Sequence, residues 1–338
     1  MEFNPYGDPP QIGHALPVFR VEGMDYDAWL EARKNSCGAS EAAAIIGMNK
    51  YRSALDVWMT KRGLTTSHID SLAMRQGTYL EPFIRSEFER ETGLTVIEVP
   101  WCLSHPDEPR MTATLDGVTV DNFGNPAVVE LKNPSWRQAG EWKAAMESGW
   151  PPADTSLESY FIQVICQMAV TGLDTGYLVG LVSKQLFVLT LKNEGDVAQI
   201  ADLLPLAVGK FWREHVDANA APEAGHKDAH ALAELFPANS EEQEDVDAPD
   251  MEAYFTELDD LKEEISRLEK QRDTIVSKIK QRMGAAPKIR AGRYTATWKT
   301  VTSNRMDTKS LTKAHPDIAE QFRTKTESRQ FRSHRSAK

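Results

Sequence analysis

The chain has 338 residues, enough for one large domain or two smaller ones with real cores, and its 41% hydrophobic content is ordinary for a soluble protein. No apolar run approaches the roughly 20 residues that span a bilayer. The N-terminus, MEFNPYGDPPQIGH, lacks the basic-then-apolar order of a secretion signal, and Cys37, Cys102 and Cys166 are too scattered for a disulfide scaffold or a cysteine metal cluster. A cytoplasmic setting without membrane association is therefore expected. The net charge of −11 argues against indiscriminate coating of nucleic acid, yet residues 284–338 carry 13 Lys/Arg against 4 Asp/Glu. Local field, rather than net charge, decides what such a chain can bind.

Along the chain, residues 1–24 read as a Pro/Gly-containing arm. A helix is expected over 26–34, and Ser40 reads as the N-cap of a helix over 41–46 that Gly47 ends. Ser53 caps a helix over 54–62. A longer helix over 71–92 carries Leu80, Ile84 and Phe88 on one stripe and stops at Gly93. The period then changes to two. Strands are expected over 112–120 and 127–131, separated by the turn cluster Asp121-Asn122-Phe123-Gly124-Asn125. A helix over 157–171 ends at Gly172, strands follow over 176–182 and 185–190, and a helix over 197–216 closes the region. This order predicts an α/β core, a central mixed sheet with helices on its faces.

Beyond Ala221 the composition shifts. Residues 222–252 read as an acidic linker, with six acids in the ten residues 241–250. In the last region, 253–338, Leu258, Leu261, Ile265, Leu268, Ile275 and Ile279 repeat at heptad spacing, with Arg272 in one core slot. The repeat is short, so an intramolecular helix pair and an intermolecular coiled coil are both open. A strand over 293–301 and a basic, Phe-containing end complete this helical and small β appendage, which could bind DNA or a partner or be a solvated tail.

Cutting a phosphodiester needs a nucleophilic water, neutralised charge on the phosphate and help for the leaving oxygen, and carboxylate-held divalent metals supply all three. Asp116 and Glu130 on neighbouring antiparallel strands can flank one metal. Residues two apart on a strand share a face, so Lys132 joins Glu130 while Leu131 points away and offers its carbonyl. Glu-x-Lys alone is weak: Glu141-Trp142-Lys143 also matches, as do Asp260-Leu261-Lys262 and Asp307-Thr308-Lys309 when Asp is allowed. Those three fall in expected helices or a loop, where such positions do not share a face. On the residues alone, a nuclease metal site and a surface hairpin with a cross-strand ion pair both remain open.

Five ordered segments go further. Cys37-Gly38-Ala39-Ser40-Glu41-Ala42, with Arg33 seven residues before the serine, is followed by Gly77-Thr78-Tyr79-Leu80-Glu81. Then come Thr112-Ala113-Thr114-Leu115-Asp116-Gly117, Glu130-Leu131-Lys132, and Tyr160-Phe161-Ile162-Gln163-Val164 running on to Gly172. Over residues 25–221 the chain resembles the YqaJ-type viral recombinases, lambda exonuclease-like members of the PD-(D/E)xK nuclease superfamily. Leu115 departs from the family's Pro-Asp pair.

The resemblance implies a 5′→3′ double-strand DNA exonuclease that makes 3′ tails for recombination by single-strand annealing, encoded by a phage or prophage. It implies Mg²⁺, with Mn²⁺ able to substitute and two ions per site, held by Glu81, Asp116, Glu130 and the Leu131 carbonyl. Lys132 would act on the water, Gln163 would position that lysine, and Arg33, Ser40 and Thr114 would hold the DNA 5′-phosphate. A homotrimeric ring acting on duplex ends and an annealing protein as partner are implied as well. Two other readings stand beside it: a RecB-like or structure-specific endonuclease on the same core, and a nuclease-dead DNA-binding recombination protein.

Overall fold

Runs of period two become strands in two sheets, and the helical runs pack on their faces. The computed structural model describes residues 11–65, 71–238 and 249–324, with the single positions 331 and 333. The first ten residues of the expected arm, the acidic run 239–248 and most of the basic end lie outside the described residues. The chain divides into two compact units, Met1–Phe236 and Pro237–Lys338.

In the first unit, strand β1 (Leu16–Arg20) precedes helix α1 (Tyr26–Arg33), whose first turn is capped by the Asp25 carboxylate. The two-residue strand β2 (Cys37–Gly38) runs directly into α2 (Ala39–Ile45), and α3 (Ala54–Lys61) starts from a Ser53 cap. Helix α4 (Leu72–Thr92) stops at Gly93, which takes the left-handed φ of 73°. Strands β3 (Val96–Ile97), β4 (Trp101–Ser104), β5 (Met111–Thr114), β6 (Gly117–Val120) and β7 (Pro126–Lys132) follow. After α5 (Ala139–Ser148) and α6 (Ser156–Thr171) come the paired strands β8 (Thr175–Val182) and β9 (Gln185–Lys192). Helix α7 (Gly195–Phe211) then leads through a π-helical turn to α8 (Ala229–Leu235).

One sheet has the order β1-β4-β5-β2 and the other β3-β6-β7-β8-β9. The larger sheet is mixed: β7 and β8 run parallel, joined by a crossover through α5 and α6, and its other pairs are antiparallel. Alternation along β7 sorts the core. Val129 and Leu131 pack with Ile84 and Phe88 of α4, while Val128 belongs to the other cluster, near Val164 and Met168 of α6 on the opposite face. Glu130 therefore shares the α6 face. This is the expected mixed α/β core, with helices on both faces of its central sheet.

Three expectations change. The run 112–120 is not one strand, because the chain leaves the smaller sheet at Thr114 and enters the larger one at Gly117. Uniform β-propensity hides such a break. A side chain at Gly117 would collide with Val96, its Cβ falling 2.3 Å from Cγ1, so glycine lets β3 lie close beside β6 there. Ser40 is not an N-cap. Gly38 holds that position, because the longer Glu41 side chain reaches back and accepts the Gly38 N–H at 2.9 Å. The segment expected to begin a linker at 222 instead carries α8, anchored where the nearly inaccessible Asp228 accepts from the Ser53 hydroxyl and, at 2.6 Å, from the Gly225 N–H.

The second unit contains α9 (Pro249–Met283), 35 residues long, then a hairpin of β10 (Lys288–Ala291) and β11 (Tyr294–Thr297), then α10 (Thr308–Ala314) and α11 (Pro316–Gln321). The expected strand over 293–301 is thus the second half of a hairpin, shorter than its alternation suggested. Along α9 the heptad residues Leu261, Ile265, Leu268, Ile275 and Ile279 are exposed. No helix among the described residues is long and apolar enough to cross a membrane.

Candidate active site

The turn before β7 is built by Asp121, whose carboxylate accepts from the N–H groups of Phe123 and Asn125, and this sets the register that carries Glu130 inward. Glu130 is only 2% exposed. A carboxylate so placed must be surrounded by donors. Its Oε1 accepts from Gln163 Nε2 at 2.6 Å and from the Lys132 ammonium, and its Oε2 accepts from Gln167 Nε2 at 2.5 Å. Gln163 and Gln167 lie one turn apart on α6. The Gln167 amide also donates to the Thr114 carbonyl at 3.3 Å. Turning that amide over would set its oxygen against a carboxylate and a carbonyl, so its orientation is dictated by its partners.

Lys132 lies with Nζ 5.1 Å from the centre of the Tyr160 ring. Burial would pull its ammonium down, but the Glu130 and Asp116 carboxylates outweigh burial and hold it above its ordinary value. The lysine is thereby kept as a charged donor rather than a base. Asp116 sits in the gap between β5 and β6, and its Oδ2 accepts the Leu131 N–H at 2.7 Å. Desolvation, then repulsion from Glu130 and Glu81, lift its carboxyl well above the usual range despite the nearby Lys132. Glu81 stands at the edge of the group, on α4, with Oε1 3.2 Å from Arg85 Nη2. Burial lifts it too, Arg85 opposes, and Glu130 adds to the rise. Arg85 also donates to the Asp116 carbonyl at 3.3 Å and pairs with Glu98.

Among the described residues, no three His, Cys, Asp or Glu side chains are gathered as a ready-made metal cage. Glu130 spends its oxygens on Lys132, Gln163 and Gln167, and Glu81 leans on Arg85. The donor set nonetheless fits a hard divalent cation in kind. Glu130 raises the proton affinity of both Asp116 and Glu81 in a partly desolvated setting, which is an excess of negative charge that a cation relieves.

Arg33, Ser40 and Thr114 line one cavity of about 50 Å³, together with Trp29, Cys102 and Gln163. The Arg33 guanidinium lies 4.7 Å from the centre of the Trp29 ring, and its Nη2 donates to Ser40 Oγ at 3.1 Å. Behind it, Lys61 Nζ donates to Glu41 Oε2 at 2.7 Å and to the Arg33 carbonyl at 2.8 Å. Gln163 belongs to this cavity and to the Glu130 cluster, so the two groups of expected residues adjoin. The structure brings all of them into one neighbourhood, with Glu81 at its margin.

Sequence reasoning missed Gln167, Arg85 and the Glu41–Lys61 pair. Gln167 had a readable signal, a second glutamine four residues after Gln163 in the otherwise apolar run 161–170. Arg85 had one as well, four residues after Glu81. The pairing of Glu41 with Lys61 had none, since it joins separate helices.

A model described as the YqaJ-like viral recombinase domain matches residues 28–174. The chain is 30% identical over 316 residues to the uncharacterized protein YqaJ of Bacillus subtilis (strain 168), a match covering 91% of this chain and 94% of that protein. Among solved structures, an alkaline exonuclease from Laribacter hongkongensis, LHK-Exo, is 26% identical, with 57% of this chain and 94% of that one covered and a TM-score of 0.44. Its complex with dAMP gives 24% identity, the same coverage and a TM-score of 0.45. A phage-related exonuclease from Haemophilus somnus 129PT is 12% identical, covering 54% of this chain and 96% of that one, with a TM-score of 0.38.

Proposed function

The chain belongs to the YqaJ-like viral recombinase family, and from that premise we propose that it is a metal-dependent nuclease that degrades duplex DNA 5′→3′ from its ends. The product is a 3′ single-stranded tail for recombination. The observation that supports this reading most is the sharing of Gln163, which lines the Arg33–Ser40–Thr114 cavity and donates to Glu130. A group that reads a strand terminus and a group that cuts beside it must adjoin in an exonuclease.

In this reading Glu81, Asp116, Glu130 and the Leu131 carbonyl would hold Mg²⁺, two ions per site, with Mn²⁺ able to replace them. The bound metal supplies Lewis acidity and neutralises charge at the scissile phosphate. Lys132, kept charged by its carboxylate neighbours, orients the attacking water and faces the negative charge that develops on the phosphate. Gln163 and Gln167 fix the Glu130 carboxylate so that its oxygens do not wander between lysine and metal. Arg33 pairs with the 5′-phosphate, with the Ser40 and Thr114 hydroxyls completing the anion site. The active form is a homotrimeric ring that passes its tail to a single-strand annealing protein, in the cytoplasm of a bacterium carrying the phage or prophage.

The test is digestion of end-labelled linear duplexes, with and without 5′-phosphate, beside a closed circle, in Mg²⁺. Stepwise loss of the 5′ label from phosphorylated linear DNA and an intact circle are expected. A circle cut as fast as the linear duplex would overturn the exonuclease reading in favour of an endonuclease.

A further inference from the structure

Helix α9 carries its own message, independent of the nuclease chemistry. With Leu258 at heptad position a, the a positions are Met251, Leu258, Ile265, Arg272 and Ile279, and the d positions are Tyr254, Leu261, Leu268, Ile275 and Arg282. Met251, Tyr254, Leu261, Ile265, Leu268, Ile275 and Ile279 are each at least 40% exposed. An apolar seam of this length left in water is unfavourable, and a second helix is what such a repeat fits.

Charge says which helix. Residues 251–266 hold six carboxylates and one lysine, and residues 267–283 hold six Lys/Arg and two carboxylates. Two copies side by side in parallel would set acid against acid and base against base. Their Arg272 side chains would share one core layer, and Glu264 would face Glu269. Two antiparallel copies set each acidic half against a basic half.

We propose that α9 pairs with α9 of a second copy of this chain, one in another ring since a two-fold pair cannot close among three copies, as an antiparallel coiled coil centred between Ser266 and Arg267. In that register Leu258 meets Ile275 of the other copy, Ile265 meets Leu268, Tyr254 meets Ile279, and each Arg272 lies across a Leu261. The flanking g positions put Glu257 against Lys278, and the flanking e positions put Lys262 against Glu269. Sliding one heptad in one direction opposes Lys262 to Lys262 and Glu264 to Glu264. Sliding the other way opposes Glu269 to Glu269. Of these three registers only the central one is free of like-charge contacts. Arg272 breaks the apolar seam at the cost of some stability and penalises the parallel arrangement, as a lone polar core residue does in coiled coils.

The test uses full-length protein, in which Cys37, Cys102 and Cys166 are buried and do not compete for oxidation. Leu258→Cys and Ile275→Cys chains are oxidised separately and mixed. A disulfide-linked dimer in the mixture, with none from either variant alone, is expected. Dimer from Leu258→Cys alone would mean a parallel pair and overturn the proposal. No dimer in the mixture, with circular dichroism showing α9 folded, would overturn self-pairing and assign the seam to another protein or to the chain's own nuclease unit. Charge exchange gives a second readout. Glu257→Lys should weaken self-association roughly tenfold, and adding Lys278→Glu should restore it. Restoration by Lys262→Glu instead would indicate the parallel pair.

Discussion

The first unit contains two inward-facing Glu–Lys pairs, and they are built to opposite ends. Around Glu41, cations prevail: burial alone would lift its carboxyl, but Lys61 and Arg33 hold it below the usual range. Around Glu130, carboxylates prevail, and neighbouring Asp116 is pushed well above that range. The first cluster satisfies itself and holds Arg33 in place through its backbone. The second leaves negative charge uncompensated beside a charged lysine. Similar residue types thus give a structural strut where charge is balanced and a cluster with excess negative charge where it is not.

That contrast can be broken from either side. The largest effect is expected from Asp116→Asn or Lys132→Ala, each lowering nuclease turnover by roughly 10³-fold or more, as chelation of divalent metal should also do. Asp116→Asn should nevertheless melt no lower than the parent at neutral pH in chelator, because it removes a penalised charge while its amide oxygen can still accept the Leu131 N–H; a clear drop in melting temperature would show that the carboxylate charge itself stabilises the fold. Glu41→Gln should do the reverse, costing about 3–5 kcal/mol in denaturant unfolding by leaving the Lys61 ammonium buried and unpaired.

Gln167→Leu removes one donor to Glu130 and should lower turnover by roughly 10- to 100-fold while leaving DNA binding intact, which a gel-shift assay in Ca²⁺ can separate. Arg33→Ala should cost about tenfold in preference for 5′-phosphorylated over hydroxyl ends, read from paired substrates. The smallest effect is on pH. A lowered folded pKa makes Glu41 stabilising above its unfolded value, about 4.3, and that contribution fades as pH falls through the lower folded value. The stability gap between parent and Glu41→Gln should therefore stay level from about pH 8 to 6 and close only below about pH 4.

The central chemistry was legible because alternation is a local property. Glu130 and Lys132 had to share a strand face, and the order of Glu81, Asp116, Glu130 and Gln163 along the chain supplied the rest. What could not be read depends on contacts between distant segments. Nothing in the run 112–120 announces that the chain changes sheets at Leu115-Asp116, since the strands that pair with its two halves, β4 and β3, lie earlier in the sequence. Ser40 looked like a cap because serine caps helices well, yet the Glu41 side chain satisfied the free N–H of Gly38 first. Strand β10 was missed because Lys288-Ile289-Arg290-Ala291 is short and half charged, and only pairing with β11 makes it a strand. Helix α8 was hidden by polar surroundings, and its anchor, Asp228, finds its partner Ser53 far back in the chain.

The break at Leu115-Asp116 has a mechanical consequence. Asp116 is where the two sheets are stitched together, and the bond from its carboxylate to the Leu131 N–H acts as a rivet across that seam. Leu103, Met111 and Ala113 of the smaller sheet share one buried cluster with Val118 and Val128 of the larger, so a shift in β4 or β5 reaches the junction at Asp116. Substitutions in β4 or β5, remote from the reacting phosphate, therefore have a direct lever on turnover, and those that soften the smaller sheet should slow the enzyme before they unfold it.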